Sequence, residues 1–317
     1  MGFVHLLIPL SLSFSVTAQM GRWEFHSPKM GTEFNMIVYG QDSVKVARAV
    51  SLAWQRIDQV NEVFSDYSST SELHRIHANA REKHYPVSAE FEKLLRLSLR
   101  YCRLSRGAFD ISIGSLSRLW RRAIKMDEFP EAEKIREALN HTGYRKIKLK
   151  DSGIRIPAGF YLDFGAIAKG YAVDEAYKVL EENQLPIALL DGGGDIYAGP
   201  APPGTRGWTV SLQVKKPDNR IEDSTILVAS MAIVTSGDAY KFIEHEGKRY
   251  SHIIDPRTGY GVPGPHWTTV IASSATHADA LATVMSLLSG KELKKFGRKW
   301  KKRFGTQGEY WVMKFGS

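Results

Sequence analysis

The stretch LPIALLDGGGDIYAG, residues 185–199, decides the fold class of this chain. An apolar run leads into three glycines and an aspartate, which is the pattern of a buried strand that ends in a tight turn. Four further strand-like segments follow: GWTVSLQVKK (207–216), ILVASMAIVTSGD (226–238), KRYSHIIDP (248–256) and HWTTVIASSA (266–275). Strands that cluster without regular βαβ alternation predict an α+β fold with a largely antiparallel sheet and flanking helices.

The rest of the chain supplies most of these flanking helices. Apolar residues spaced by three and four, together with capping residues, predict helices over Asp42–Phe64, Ser88–Ser105, Ala166–Gln184 and Thr276–Ser289. TEFNMIVYG (32–40) is predicted as an early strand, and residues 146–165 are predicted as strands with a turn at 151–153.

Composition and length set the domain organisation. The chain has 317 residues, 43% of them hydrophobic and 24% charged, and no linker, repeat or low-complexity tract divides it. We predict one domain over residues 19–317, after a signal peptide over residues 1–18. The mostly apolar run from Phe3 to Val16 is too short for a comfortable membrane span, and the small residues of Val16-Thr17-Ala18 suit signal peptidase. No Lys or Arg precedes this run, which is unusual for a signal peptide. We therefore expect export to the periplasmic side of the cytoplasmic membrane.

The single cysteine, Cys102, excludes an intrachain disulfide. It shares a helical stripe with Leu95 and Leu99, which predicts a buried, inert thiol. No cysteine near residue 18 is available for lipid attachment, so a lipoprotein is not expected. A serine hydrolase is not supported either, because no GxSxG motif stands at a strand–helix turn.

The net charge of +9 is partly local. KELKKFGRKWKKRF, residues 291–304, holds eight basic residues and one acidic residue. One interpretation is a solvated helix face; the other is attraction to anionic lipid, nucleic acid or a phosphate-bearing ligand. Because an exported protein seldom meets nucleic acid, a nucleic-acid partner is not expected.

Two familiar phosphate motifs fail here. In FGAIAKGYA (164–172) the lysine precedes the glycine, whereas a P-loop needs Gly-Lys-Ser/Thr, and DGGGDIYAG (191–199) is not followed by a helix with a third glycine at the dinucleotide-binding spacing. The helix predicted to begin near Ala166 can still bind an anion with its free N–H groups. Lys169 in its first turn is unfavourable for the helix dipole, and an anion there would explain it.

Several oxygen-bearing side chains could serve structure or chemistry. Asp279 and Thr283 lie four residues apart, on one face of a predicted helix. They are either a helix cap with a buried hydroxyl or half of a Mg²⁺ site. Four loop aspartates have turn or capping roles as their simplest interpretation: Asp110, Asp163, Asp195 and Asp238. His252, which leads into the turn Asp-Pro-Arg-Thr-Gly, belongs to a candidate phosphate-handling loop.

The chain also resembles the ApbE family, the FAD:protein FMN transferases, over nearly all of its mature length. The resemblance rests on eight motifs in the family's order: KMGTEF (29–34), FSDYSSTSEL (64–73), GAFDISIGSLSRLW (107–120), LDFGAIAKGYAVDEA (162–176), DGGGDIYAG (191–199), VTSGD (234–238), SHIIDPRTG (251–259) and THADALAT (276–283). It implies an ApbE-like, T-fold-like architecture, and transfer of FMN from FAD to a Ser or Thr hydroxyl of a target protein with release of AMP.

The resemblance also implies site residues. Mg²⁺ would be held by the Asp279 carboxylate, the Thr283 hydroxyl and the Ala166 carbonyl. FAD would contact Met30, Tyr67, Ala108, Phe109, Asp110, Asp163, Lys169 and Ile253. His252 is our candidate general base. The target would be a membrane redox-complex subunit or a periplasmic flavoprotein. The basic stretch at residues 291–304 is not one of the family's motifs, and our hypothesis is that it keeps the enzyme near anionic lipid.

Three other functions remain open from the sequence alone. A FAD pyrophosphatase would use the same site with water as the acceptor. A flavin carrier would bind FAD without turnover. An adhesion or scaffold module would bind no FAD.

Overall fold

A seven-stranded antiparallel sheet forms the centre of the molecule in the computed structural model, which describes residues 20–81, 83–215, 221–237, 241–264, 266–304 and 310–315. The predicted signal peptide and Asp238 lie outside the described residues. The sheet has the order β1-β2-β5-β6-β9-β13-β14. Its strands are β1 (Gly21–Lys29), β2 (Thr32–Gly40), β5 (Ala188–Gly192), β6 (Asp195–Ala198), β9 (Met231–Gly237), β13 (Trp267–Ala272) and β14 (Tyr310–Phe315).

Three helices cover one face of this sheet, namely α1 (Ser43–Phe64), α6 (Ala168–Glu182) and α7 (Ala275–Leu287). A hairpin of β7 (Trp208–Lys215) and β8 (Ile221–Val228) packs on the other face. Successive side chains of β5 point to opposite faces of the sheet: Leu190 belongs to the core under the helices, and Leu189 belongs to the core under the hairpin. The apolar run that predicted a buried strand is therefore covered on both faces.

The remaining elements surround this centre. They are α2 (Glu72–Asn79), α3 (Ala89–Leu104), α4 (Gly114–Met126), α5 (Ala132–Asn140), the short hairpin β3 (Lys148–Lys150) and β4 (Gly153–Arg155), the sheet of β10 (Phe242–His245), β11 (Lys248–Ile254) and β12 (Gly261–Pro263), and α8 (Gly290–Phe304). The β10–β12 sheet packs on α4 and α5 around a small core of its own. Trp120 of α4 is buried there, and its indole N–H donates to the Gly259 carbonyl at 2.8 Å.

The predicted fold class and most predicted boundaries are confirmed. Two strand predictions are wrong: residues 226–238 are not one strand, because a bend at Ala229 and Ser230, with a positive φ at Ser230, separates β8 from β9, and residues 156–165 form no strand. Asp42 caps α1, and Ser88 caps α3 with its hydroxyl accepting from the Phe91 N–H at 3.1 Å. The start of α6 was predicted two residues too early, because Gly165–Ile167 form a turn before Ala168. Cys102 is fully buried, as predicted. Among the helices of the described residues, none is both long enough and apolar enough to cross a bilayer.

Candidate active site

The first turn of α6 lies directly against α7. A Cβ atom at Gly170 would stand 2.2 Å from the Ala275 carbonyl oxygen and 2.9 Å from Cβ of Asp279, so only glycine allows this approach. One turn further along α6, the Asp174 carboxylate accepts from the N–H groups of Ala275 and Thr276, each at 2.8 Å. These contacts fix the start of α7 against α6 and bring their side chains to one place.

Asp279 lies at this junction with only 5% of its surface exposed. Its Oδ2 accepts from the Gly170 N–H at 3.1 Å, so it satisfies a free amide at the start of α6. The interpretation of Asp279 as a cap of its own helix is wrong, because Ser274 caps α7. Thr283 lies one turn further along α7 and is partly exposed rather than buried. Ala166 lies in the turn that leads into α6.

Lys169 and Asp195 form an ion pair next to Asp279. The Lys169 Nζ lies 2.5 Å from Asp195 Oδ2, and Asp195 is 2% exposed at the start of β6. Burial and the neighbouring Asp279 raise the pKa of Asp195 to about 7, against the lowering effect of Lys169. Burial alone would lower the pKa of Lys169, but Asp195 and Asp279 raise it above its usual value. The Lys169 ammonium group is thus charged. It pairs with Asp195 and also interacts electrostatically with Asp279.

A pair of tight turns borders this ion pair. Gly193 and Gly194 both have positive φ, and a Cβ atom at Gly193 would stand 2.5 Å from the Thr32 hydroxyl oxygen. Met30 and Gly31 form the two-residue turn between β1 and β2, with φ of 49° and 77°. A left-handed conformation is uncommon for a methionine and marks a constrained position. The β1–β2 turn thus ends beside the glycine turn that precedes Asp195.

Tyr67 and Asp163 are brought together by a residue that the sequence did not indicate, Arg121. Its guanidinium forms an ion pair with Asp66, lies 3.4 Å from Asp163 Oδ2, and stands 4.8 Å from the centre of the Tyr67 ring. The Tyr67 side chain is 81% exposed, so one face of an aromatic ring is held in place yet open to a ligand. Asp163 does not cap α6 as predicted, because its Oδ1 accepts from the Gly165 N–H at 2.7 Å in the preceding turn.

The GAFD segment is buried. Ala108 and Phe109 belong to the main core, and the Phe109 ring lies 5.5 Å from that of Tyr101. Both carboxylate oxygens of Asp110 are used within the protein: one accepts from the Ser112 N–H and hydroxyl, and the other from the Tyr144 N–H at 2.9 Å. The turn role of Asp110 is therefore confirmed. FAD contacts for this segment stay a prediction.

His252 and Ile253 lie on β11, in the small sheet, whereas Lys169 and Asp279 lie under the large one. Ile253 is buried and His252 is exposed. The Nδ1 atom of His252 lies 3.2 Å from the Lys241 carbonyl oxygen. A carbonyl can only accept, so Nδ1 donates its proton in this contact, and Nε2 is the nitrogen of the ring that can act as an acceptor.

Three charged residues of the site were missed or misjudged from the sequence. Asp195 had a turn role as its simplest interpretation, but it begins a strand and pairs with Lys169. Asp66 and Arg121 had no assigned role. Asp66 stands within the motif FSDYSSTSEL beside Tyr67, and this adjacency is the one signal in the sequence that could have indicated it. Arg121 lies just after a motif, on a helix that was not predicted.

The donor set expected for Mg²⁺ is mixed. Within the described ranges, no group of three or more His, Cys, Asp or Glu residues is arranged to hold a metal ion. The expected ligands are instead one carboxylate (Asp279), one hydroxyl (Thr283) and one backbone carbonyl (Ala166). Such hard oxygen donors suit Mg²⁺, which completes its octahedron with water and phosphate oxygens.

Comparison with known proteins gives a consistent result. The ApbE family model matches residues 30–304. The chain is 28% identical to a FAD:protein FMN transferase of Vibrio cholerae serotype O1, covering 82% of this chain and 80% of the relative. It is 29% identical to a FAD:protein FMN transferase of Treponema pallidum, covering 82% and 76%. Among solved structures, the flavinyl transferase ApbE of Pseudomonas stutzeri superposes with a TM-score of 0.78 at 25% identity, covering 89% of both chains.

Proposed function

Because the chain belongs to the ApbE family, we propose that it is a FAD:protein FMN transferase that acts with Mg²⁺. In this reaction a Ser or Thr hydroxyl of a target protein attacks the flavin-side phosphorus of FAD. The bond from that phosphorus to the bridging pyrophosphate oxygen breaks, the hydroxyl proton leaves to a base, and AMP departs. The observation that carries the proposal is the junction of α6 and α7, where Lys169, Asp195 and Asp279 meet.

The charges at this junction fit a bound divalent cation. Two buried carboxylates, Asp195 and Asp279, lie beside a single ammonium group, so carboxylates outnumber cations where a pyrophosphate has to approach. The Asp279 carboxylate, the Thr283 hydroxyl and the Ala166 carbonyl would hold Mg²⁺ there. When bound, Mg²⁺ neutralises phosphate charge and stabilises the leaving AMP.

Lys169 and the start of α6 bind the anionic part of the substrate. Asp195 holds the Lys169 ammonium group in place, which reduces the entropy lost when a phosphate oxygen binds. Ile167, at the N-terminus of α6, has no side-chain cap bond, so this helix end lacks the usual polar cap. A bound anion would accept hydrogen bonds from the free N–H groups of this helix end, as a capping side chain does in other helices.

One aromatic ring of the substrate is proposed to stack on the open ring of Tyr67. Arg121 fixes Asp66 and Asp163 around it, so an isoalloxazine or adenine ring finds a preformed stacking surface with hydrogen-bonding groups at its edge. Met30, Ala108, Phe109, Asp110 and Ile253 are proposed contacts of the same substrate.

His252 is proposed as the base that accepts the proton of the attacking hydroxyl. It is exposed, so a target protein can reach it, and because Nδ1 donates to the Lys241 carbonyl, Nε2 is the ring nitrogen that can accept a proton. The target is proposed to be a subunit of a membrane redox complex or a periplasmic flavoprotein, and we propose with it that the chain is exported and works near an anionic membrane surface.

One incubation separates the transferase from its alternatives. The chain is mixed with FAD, Mg²⁺ and a candidate periplasmic flavoprotein domain. AMP release together with flavin fluorescence on the acceptor in a denaturing gel supports the transferase. AMP release with free FMN and an unlabelled acceptor indicates a pyrophosphatase instead. FAD binding without AMP indicates a carrier, and no FAD binding indicates a scaffold.

A further inference from the structure

A groove of about 600 Å³ lies on the outer surface where α3, β3 and α8 meet. Its rim carries six basic side chains and no acidic ones: Arg96, Arg100, Arg103, Lys148, Lys150 and Arg303. The three arginines of α3 share one face of that helix, at spacings of four and three residues. Three separate elements thus direct positive charge at one opening, and the groove is separate from the junction of α6 and α7.

Most of these charges are uncompensated. Arg96 pairs with Glu92 at 2.6 Å, and the Lys148 ammonium group reaches the Arg145 carbonyl at 3.4 Å. For the part of the chain that the structure describes, Arg100, Arg103, Lys150 and Arg303 have no carboxylate within ion-pair distance. Like charges brought together by folding repel one another, and a bound anion offsets this repulsion.

The floor of the groove is apolar, with Leu99, Leu104, Ile147 and Leu149 lining it. A free inorganic anion gains nothing from aliphatic contacts, whereas a phosphodiester with an attached glycerol and acyl chain does. Four of the six basic residues are arginines, whose planar forks match phosphate oxygens in pairs. Groove chemistry and shape therefore suit one anionic phospholipid headgroup.

The positive surface continues from the groove along α8. The apolar face of this helix is already used, because Phe296 and Trp300 are buried and Trp300 lies 5.3 Å from Tyr101 of α3. Thus α8 cannot insert into a bilayer by its apolar face and offers it only charge. A broad basic surface around one headgroup-sized groove matches a plane of headgroups better than a single acidic peptide.

We propose that the groove between α3, β3 and α8 binds the headgroup of an anionic phospholipid and that, with α8, it docks the protein on an anionic bilayer. The association is electrostatic and peripheral. It requires neither flavin transfer nor metal binding, so it can be measured with no FAD present.

The test uses the full chain and vesicles of phosphatidylglycerol with phosphatidylcholine, or of phosphatidylcholine alone, in a sedimentation assay. The proposal predicts binding to the anionic vesicles only, and its loss at roughly 1 M salt, where screening acts within ~3 Å. The groove variant Arg100→Gln/Arg103→Gln/Lys150→Gln should weaken binding on the order of 100-fold, since each basic residue near the surface contributes about fivefold.

A matched control removes the same three charges elsewhere: Arg48→Gln/Lys125→Gln/Lys248→Gln, on α1, α4 and β11. It should retain most of the vesicle binding, and both variants should keep parental circular dichroism and flavin transfer in solution. Equal losses in the two variants, or equal binding to neutral vesicles, would overturn the proposal. Charge-dependent binding of inorganic phosphate or polyglutamate at the groove, without binding to phosphatidylglycerol vesicles, would also overturn the proposal.

Discussion

Lys169 and Asp195 join the start of α6 to the start of β6 by an ion pair of 2.5 Å, and Asp279 of α7 lies beside it. The carboxylates are buried, so the ammonium group is the charge that makes their proximity tolerable. This relationship explains why a lysine occupies the first turn of a helix, where the dipole disfavours it. The ion pair can also be tested through the stability of the protein, without an activity assay.

Replacement of Lys169 by Met should destabilise the fold. The free energy of unfolding should fall on the order of 3 kcal/mol, because Asp195 and Asp279 are left buried without a cation. The double variant Lys169→Met/Asp195→Asn should recover most of this loss in denaturant unfolding, while flavin transfer stays low in both. Lys178→Met is the control, since its pair with Glu175 is half-exposed and worth less than about 1 kcal/mol. A single variant as stable as the parent would contradict the role assigned to the pair.

Arg121→Lys should weaken substrate binding more than turnover. A lysine cannot contact Asp66 and Asp163 and also lie over the Tyr67 ring, so the stacking surface loses its fixed geometry. We expect KM for FAD to rise about tenfold or more, with a smaller change in kcat. The neighbouring Arg122→Lys, on an exposed side chain 3.9 Å from Glu128, should leave both constants unchanged. A loss confined to kcat would contradict a role of Arg121 in substrate binding.

Gly170→Ala should reverse the usual effect of this substitution. Alanine in place of glycine within a helix ordinarily stabilises by roughly 1 kcal/mol. Here the added Cβ would meet the Ala275 carbonyl at 2.2 Å and would push α6 and α7 apart. We expect lower stability in thermal unfolding and weaker Mg²⁺ binding by calorimetry. Parental values for both would mean that the contact between the helices is not needed.

The stability of the protein should fall between pH 6.5 and about 4 because of His77. This side chain is buried, its Nε2 atom accepts from the Leu162 N–H at 2.8 Å, and burial followed by the nearby Arg118 lowers its pKa to about 4. In that window the unfolded chain binds a proton that the folded chain does not, so lowering the pH favours unfolding by on the order of 3 kcal/mol. Glu175, with a pKa lowered to about 2, adds to the loss only below its ordinary 4.5.

The control for this prediction is His77→Gln, in which the amide oxygen can still accept from the Leu162 N–H. Urea unfolding at a series of pH values should show a shallower fall for this variant than for the parent. Parallel curves for the two proteins would assign the acid sensitivity to other groups.

The sequence predicted the fold class because apolar periodicity and capping residues are local. Ser88 and the bounds of β2 needed nothing beyond their neighbours in the chain. Arg121 could not be assigned in this way, since its role depends on Asp66 and Asp163, which are 55 and 42 residues away. Asp195 was misjudged for the same reason: three preceding glycines predict a turn, and only the folded sheet places the carboxylate against Lys169.

The measurement that tests the central claim most directly is the intact mass of an acceptor protein after incubation with FAD. The parent chain with Mg²⁺ should add one FMN to the acceptor, and removal of Mg²⁺ with a chelator should prevent this. Asp279→Asn can still accept a hydrogen bond from the Gly170 N–H but lacks the charge, and it should reduce the rate by about 100-fold or more. Full transfer by a folded Asp279→Asn variant would contradict the assignment of the site at the junction of α6 and α7.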